Sequence, residues 1–209
     1  PWLEVSRACA AEAIATSTDE PVGVSIAVDI DALIDPDHRA HIAAVYTSIE
    51  AALFWVTIVN YDERRADPRD ADTVVKFVGT LVATGVPVVL SHVGRTGLLA
   101  IAAGADIVND ISGMTFDENM TKVLVESQAA AVLMHIRGTP GDMQKHTEYD
   151  DVVEEVASHL DQLVERCVAR GMDRHRLIVD PGIGFGKDVE GNLRLIKNSR
   201  RFAASGRPV

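Results

Sequence analysis

The sequence is poor in cysteine and in aromatic residues. Only two cysteines, Cys9 and Cys167, occur among its 209 residues, and they form neither a CxxC pair nor another metal-ligand spacing. We therefore expect two buried structural thiols in a reducing compartment. Aromatic residues make up 5% of a chain that is 47% hydrophobic, so the core must be built from Ala, Val, Leu and Ile. An aliphatic core of this kind suits buried parallel strands covered by helices.

Positive charge and long apolar runs are also scarce. The formal net charge is −11, which argues against nucleic acid as a partner and gives no attraction to anionic lipid. The sequence contains no secretory signal and no apolar run long enough to cross a bilayer, so we expect a cytoplasmic location.

The chain alternates β-type runs with helix-type segments, which predicts a parallel sheet. The first 20 residues read as a helix followed by a polar linker. Predicted strands cover residues 22–30, 53–60, 86–91, 105–112, 130–136 and 177–184, and predicted helices cover residues 38–51, 71–84, 94–103, 117–128, 150–170 and 190–204.

Two architectures fit this pattern of one domain over residues 1–209: a doubly wound open sheet and a (β/α)₈ barrel. Barrels typically have about 250 residues. This chain stops after about six βα units, and Pro208-Val209 reads as the start of a seventh strand. A barrel interpretation therefore requires either a longer natural chain or a partner chain that completes the barrel.

Ligands of parallel α/β folds bind at the carboxyl ends of the strands, so the polar residues that close each strand are the candidates for a site. Each of them has an alternative role as a helix N-cap, because the same positions begin the following loops. The candidates are Asp29, Asp31, Asn60, Ser91, His92, Asn109, Asp110, His135, Arg137 and Asp180.

Two segments carry more chemistry than the rest. Residues 180–187, DPGIGFGK, combine a strand-end carboxylate, three glycines that let a ligand approach the backbone, the ring of Phe185 and the cation of Lys187. Residues 133–144 place Met134, His135 and Arg137 at a strand end before a long Gly/Pro loop. Arg137 can hold a phosphate, and Met134 can contact a ring.

The histidines give a weaker indication of a site than these two segments. His135 taken alone is read as a surface histidine. His38 and His41 have helical i, i+3 spacing, but no third metal ligand accompanies them, which favours a solvated helix face.

Four segments occur in the order and spacing of dihydropteroate synthases. They are GADIVNDISG, VLMHIRGTPGDMQ, YDDVVEEV and LIVDPGIGFGK, and the similarity covers about residues 85–209. The chain thus resembles the dihydropteroate synthase family of the pterin-binding superfamily. The resemblance implies a (β/α)₈ barrel, truncated here, and condensation of 6-hydroxymethyl-7,8-dihydropterin diphosphate with 4-aminobenzoate in folate biosynthesis.

The resemblance also implies roles for individual residues. Asn109 and Asp180 would bind the pterin edge, with Asp180 ionised near the positive charge that develops as diphosphate leaves. The ring pocket would be lined by Ile111, Met134 and Phe185. The departing diphosphate would be stabilised by Mg²⁺ with Arg or Lys, although no ligand loop for the metal is recognisable.

Three strand-end loops of the family are absent from this sequence. The first strand lacks an Asn-x-Thr-Pro-Asp-Ser-Phe loop, and the second has only Arg64 and Arg65 as loose substitutes for the family's Arg. The third ends in Ser91-His92 where the family has Asp-Thr. The Ser-Arg-Lys-Ser and Arg-x-His segments of strands seven and eight would lie beyond Val209. Two alternatives therefore stay open: a methyltetrahydrofolate methyltransferase of the same superfamily, and a non-catalytic paralogue or partner subunit. For the assembly, the resemblance implies a homodimer as the alternative to a partner chain that completes the barrel.

Overall fold

The structure, a computed structural model, describes residues 2–17, 21–59, 68–91, 101, 103–115, 119–203 and 208–209. The chain divides into two compact units, Pro1–Val108 and Asn109–Val209. The prediction of a single domain over residues 1–209 stays a prediction.

The first unit is built on three parallel strands. Its elements are α1 (Trp2–Thr16), β1 (Gly23–Asp29), α2 (Ile30–Ile34), α3 (Pro36–Thr47), β2 (Leu53–Val59), α4 (Pro68–Val82) and β3 (Val88–Ser91). Strand β2 lies between β1 and β3 and pairs with both in parallel. The order β1-β2-β3 thus follows the chain, as expected when each crossover is a helix.

The core of this unit follows from two periodicities. Alternate residues of β1 and β2 are buried, because successive side chains of a strand point to opposite faces. On α4 the buried residues recur at helical spacing instead. The buried side chains of these elements are Val24, Ile26, Val28, Phe54, Val56, Ile58, Val74, Phe77, Val78 and Leu81.

The second unit continues the alternation. Its elements are β4 (Ile107–Asp110, which begins at the end of the first unit), α5 (Met120–Ser127), β5 (Ala130–Met134), α6 (Val152–Ala169), β6 (Leu177–Asp180), α7 (Val189–Lys197) and α8 (Ser199–Ala203). The strand order is β4-β5-β6, and β5 pairs with β6 in parallel. The amide of Val179 in β6 also donates to the carbonyl of Pro208 at 3.1 Å, at the position predicted to begin a seventh strand.

Helix α6 confirms the helix predicted over residues 150–170. Asp151 caps it, since its carboxylate accepts hydrogen bonds from the amides of Val153 and Glu154. Apolar side chains form a stripe along the helix, and only the last of them, Val168, is half-buried. The buried members are Val152, Val153, Val156, Leu160, Leu163 and Val164.

Two predicted elements have wrong bounds, and one helix was not predicted. Strand β6 ends at Asp180 and not at residue 184, because the glycines that follow adopt positive φ. The helix predicted over residues 190–204 is interrupted at Asn198, whose side chain donates to the carbonyl of Arg194 at 2.8 Å. Helix α2 was not predicted; Asp29 caps it through the amide of Asp31.

The remaining expectations concern the two cysteines, membrane-spanning segments and the helix predicted over residues 94–103. Cys167 is buried as predicted, but Cys9 is exposed, so the prediction of two buried thiols is wrong for Cys9. Among the described residues, no helix is both long enough and apolar enough to cross a membrane. Most of the helix predicted over residues 94–103 lies outside the described residues.

Candidate active site

Strands β5 and β6 end side by side in the second unit. In their parallel register, Met134 stands opposite Asp180, and the amide of His135 donates to the carbonyl of Asp180 at 3.0 Å. The loops that leave these two strands therefore start next to each other. This register brings together two segments that are far apart in the sequence.

Asp180 closes β6 with a half-buried carboxylate. Its Oδ1 accepts a hydrogen bond from the amide of Gly182 at 2.7 Å, which begins the glycine loop. Within the part of the chain that the structure describes, this amide is the one hydrogen-bond donor to the carboxylate. The second oxygen can therefore accept from a ligand.

The loop after Asp180 packs against the end of β5 more closely than a side chain would permit. Gly182 has φ of +67°, and a Cβ added to it would lie 2.0 Å from the carbonyl oxygen of His135. At Gly186, with φ of +72°, a Cβ would lie 3.0 Å from the carbonyl oxygen of Arg137. Glycine is needed at both positions because it allows positive φ and close backbone approach.

Lys187 ends this loop and turns back beneath it. It is 3% exposed, and its ammonium is surrounded by acceptors of its own chain. Nζ lies 2.9 Å from the carbonyl oxygens of Gly182 and Phe185, 3.0 Å from the carbonyl oxygen of His135 and 2.9 Å from the Nδ1 of the same histidine. Burial lowers the pKa of Lys187 to about 7, against the opposing effect of the Asp180 charge.

His135 is not the surface histidine that its local sequence suggests. It is 4% exposed, because β5 carries it inward against α6, where its ring meets that of His159 edge-on at 4.9 Å. Burial, with further contributions from the charges of Lys187, His159 and Arg137, lowers the pKa of His135 to about 3. The imidazole is therefore neutral at pH 7, and its Nδ1 can accept the hydrogen bond from Lys187.

Arg137 faces its own chain. Its Nη2 forms an ion pair with Glu155 at 2.8 Å, its Nη1 donates to the carbonyl of Glu148, and its guanidinium lies 3.8 Å from the centre of the Tyr149 ring. The ion pair, the hydrogen bond and the stacking all hold the side chain against α6 and the segment before it. Binding of a phosphate by Arg137 stays a prediction.

The remaining predicted pocket residues lie on neighbouring strands. Met134 is 2% exposed at the end of β5, Asn109 is buried in β4, and Ile111 is half-buried just after that strand. Asp110 is also buried, but its Oδ1 accepts from both the amide and the hydroxyl of Ser112, at 2.7 and 2.6 Å. Its carboxylate thus shapes the turn after β4.

In the first unit, one strand-end residue has the capping role that the sequence left as an alternative. The carboxylate of Asp29 caps α2 through the amide of Asp31. Ser91 is buried at the end of β3, whereas Asp31 is exposed. Asn60, Arg64, Arg65 and His92 lie outside the described residues.

The described residues offer no metal cage. They contain no group of three or more His, Cys, Asp or Glu side chains that could hold an ion, and His38 and His41 are both exposed on α3.

Several residues that support the site were not predicted. Gln144 donates to the carbonyl of Gly184 at 3.0 Å, and the Tyr149 hydroxyl donates to the carbonyl of Gly186 at 2.8 Å. The Oδ1 of Asn192 accepts from the amide of Gly184 at 2.8 Å. Gln144 and Tyr149 lie within or beside the long polar loop after β5, and the length of that loop was the available signal.

Known proteins similar to this chain agree on one family. The family model described as "Pterin binding enzyme" matches residues 62–209. Dihydropteroate synthase of Synechocystis sp. is 39% identical over 110 residues, which are 53% of this chain and 38% of that protein. The chain spans well under two thirds of the length of this and other curated relatives.

Solved structures extend the similarity to the fold. Dihydropteroate synthase of Xanthomonas albilineans with 4-aminobenzoic acid has a TM-score of 0.71 at 26% identity, over 91% of this chain and 72% of that chain. The Thermus thermophilus enzyme in complex with 6HMPPP has a TM-score of 0.72 at 26% identity, over 91% of this chain and 70% of that chain. The predicted α/β barrel class of these enzymes is thereby confirmed.

Proposed function

Because this chain belongs to the pterin binding enzyme family, we propose that it binds a pterin at the ends of β4, β5 and β6 and acts as a dihydropteroate synthase. The reaction would join 6-hydroxymethyl-7,8-dihydropterin diphosphate to 4-aminobenzoate and release diphosphate. The relatives named dihydropteroate synthase support this reaction, as do the neighbouring structures that carry 6HMPPP and 4-aminobenzoic acid.

The observation that carries the proposal is the position of the Asp180 carboxylate. One oxygen is held by the amide of Gly182, and the other can accept from the planar N–C–N edge of a pterin. Asn109, Ile111, Met134 and Phe185 complete the proposed pocket, and their roles rest on the family resemblance.

Asp180 also has an electrostatic part in the proposed reaction. When diphosphate leaves, positive charge spreads over the pterin, and a fixed carboxylate at its edge stabilises that charge. The hydrogen bond from Gly182 orients the carboxylate before the charge develops, so little reorganisation is needed. The amine of 4-aminobenzoate then attacks the carbon that has lost diphosphate.

Mg²⁺ remains a proposal that follows from the family. When bound, the ion would neutralise charge on the departing diphosphate. A cytoplasmic location and a homodimer are likewise proposals.

A pterin-binding protein without synthase activity is the second candidate. The structure favours it at one position: directly after β1, where the resemblance implies a loop that holds diphosphate, the chain forms the capped helix α2. The carboxylate of Asp29 is used for that cap.

Two measurements separate the candidates. Calorimetric titration with 6-hydroxymethylpterin tests the pocket, and a coupled assay of diphosphate release with 4-aminobenzoate tests the reaction. We expect both to be positive. Binding without release would support the second candidate and contradict synthase activity.

Asp180→Asn tests the site at residue level. The change keeps the shape but removes the charge that pairs with the pterin edge, so we expect pterin binding to weaken by about 1.5–3 kcal/mol. Asp150→Asn, at an exposed position before α6, is the matched control and should bind normally. Equal pterin affinity of Asp180→Asn and wild type would show that the site is assigned wrongly.

A further inference from the structure

Lys187 was predicted to be a cation that binds substrate, but its surroundings in the folded chain indicate another role. Four acceptors surround Nζ at 2.9–3.0 Å: the carbonyl oxygens of Gly182, Phe185 and His135, and the Nδ1 of His135. An ammonium group has three N–H donors and no acceptor. The three donors of Lys187 are therefore all used within the chain. An anion could bind Nζ only by displacing one of these acceptors.

The partners of Lys187 come from two segments that must be held together. Gly182 and Phe185 belong to the loop after β6, whereas His135 lies at the end of β5, 52 residues earlier in the chain. A charged donor shared among buried carbonyls is stronger than a neutral hydrogen bond. The Lys187 side chain thus links the loop after β6 to the end of β5 by hydrogen bonds.

His135 fits the role of a neutral acceptor. The charged groups that face it, Lys187, His159 and Arg137, all lower the pKa of its imidazole, in addition to burial. A protonated ring would place two cations within 2.9 Å of each other. The proton is therefore held by Lys187 and the lone pair by His135.

The fastened loop carries the residues that are proposed to meet the pterin. The amide of Gly182 donates to the Asp180 carboxylate, while the carbonyl of the same glycine accepts from Lys187. The carbonyl of Phe185 is held by the same ammonium. Lys187 is consequently connected to both the carboxylate and the ring through one residue each.

We propose that Lys187 is a positioning residue that ties the loop after β6 to the end of β5 and thereby orients Asp180 and Phe185. The effect on the pterin rests on the proposed function, whereas the tie between loop and strand does not. The outer side of the loop is held separately by Gln144 and Tyr149. Removal of Lys187 should therefore loosen the loop without releasing it.

The variant Lys187→Met tests this role, because methionine has similar length and no donor. Lys197→Met is the matched control, since Lys197 is exposed at the end of α7. Hydrogen exchange of the amides of residues 182–186 is measured first. We expect at least about tenfold faster exchange in Lys187→Met and no change in the control. Unchanged protection of these amides in Lys187→Met would overturn the proposal.

Separate titrations with 6-hydroxymethylpterin and with pyrophosphate distinguish positioning from direct binding. A positioning residue predicts at least tenfold weaker pterin binding, with pyrophosphate affinity kept. A substrate-binding cation predicts the reverse, and that result would refute the proposal. If the wild type binds no pterin, the proposed function fails, while the exchange measurement still decides the role of Lys187.

A measurement on the unmodified protein covers the case in which Lys187→Met does not fold. Nitrogen NMR of the wild type should show a Lys187 ammonium whose protons exchange slowly, and a His135 Nδ1 that accepts a hydrogen bond. Exchange as fast as that of the exposed Lys197 would overturn the proposal.

Discussion

Replacement of Gly182 by alanine tests the close contact between the loop and β5. At Gly182 a Cβ would lie 2.0 Å from the carbonyl oxygen of His135 and 3.1 Å from Nζ of Lys187, so the backbone itself must move. Gly184 provides the matched control, because its φ of +86° is equally unfavourable for alanine but a Cβ there has nothing within 4 Å. The comparison separates the steric contact from the cost of positive φ.

The expected magnitudes follow from this difference. Gly184→Ala should cost about 1–2 kcal/mol, the penalty of the left-handed region for a residue with a Cβ. Gly182→Ala should cost about 4 kcal/mol or more, because it combines that penalty with a clash that displaces buried hydrogen bonds. Urea unfolding followed by circular dichroism measures both values. Equal destabilisation by the two substitutions would refute the argument that the loop packs against the carbonyl of His135.

Two further predictions concern stability. The pKa of His135 is lowered on folding from about 6.5 to about 3, so the unfolded chain binds more protons between these values and stability falls as pH drops below 6.5. Between pH 7 and pH 5 the free energy of unfolding of the wild type should fall by about 2 kcal/mol more than that of His135→Asn, in which residue 135 does not titrate. Urea unfolding of both proteins at the two pH values measures this difference, and equal losses would contradict the prediction. Asp151→Ala removes the cap of α6 and should cost about 1 kcal/mol in urea unfolding at pH 7, whereas Asp150→Ala, outside the cap, should cost less than half of that.

Much of the fold follows from short-range patterns. The apolar stripe of α6, the alternation in β1 and the glycines after Asp180 are visible over a few residues, because each reflects the local geometry of one element. The missed helix α2 is different. Its five residues are too few to show a period, and the Asp29 cap resembles an ordinary strand end.

The positions of the proposed site residues were predicted in part. Asp180 and Met134 were placed at neighbouring strand ends correctly, since parallel strands bring their carboxyl ends to one edge. The partners of Arg137 could not be predicted, because Glu155 and Tyr149 reach it from the next helix and the preceding loop. Spacing along the chain carries no information on which of several acceptors an arginine will meet.

The sequence by itself determined the alternation of strands and helices and the carboxylate at position 180. Only the tertiary structure decided what Lys187 does. From its place in a loop, Lys187 could be a cation that contacts a ligand. The register of β5 with β6 instead brings His135 next to it, and four acceptors surround its ammonium. Burial and pairing across 52 residues are properties of the packed chain, and they turn a candidate substrate contact into a support for the site.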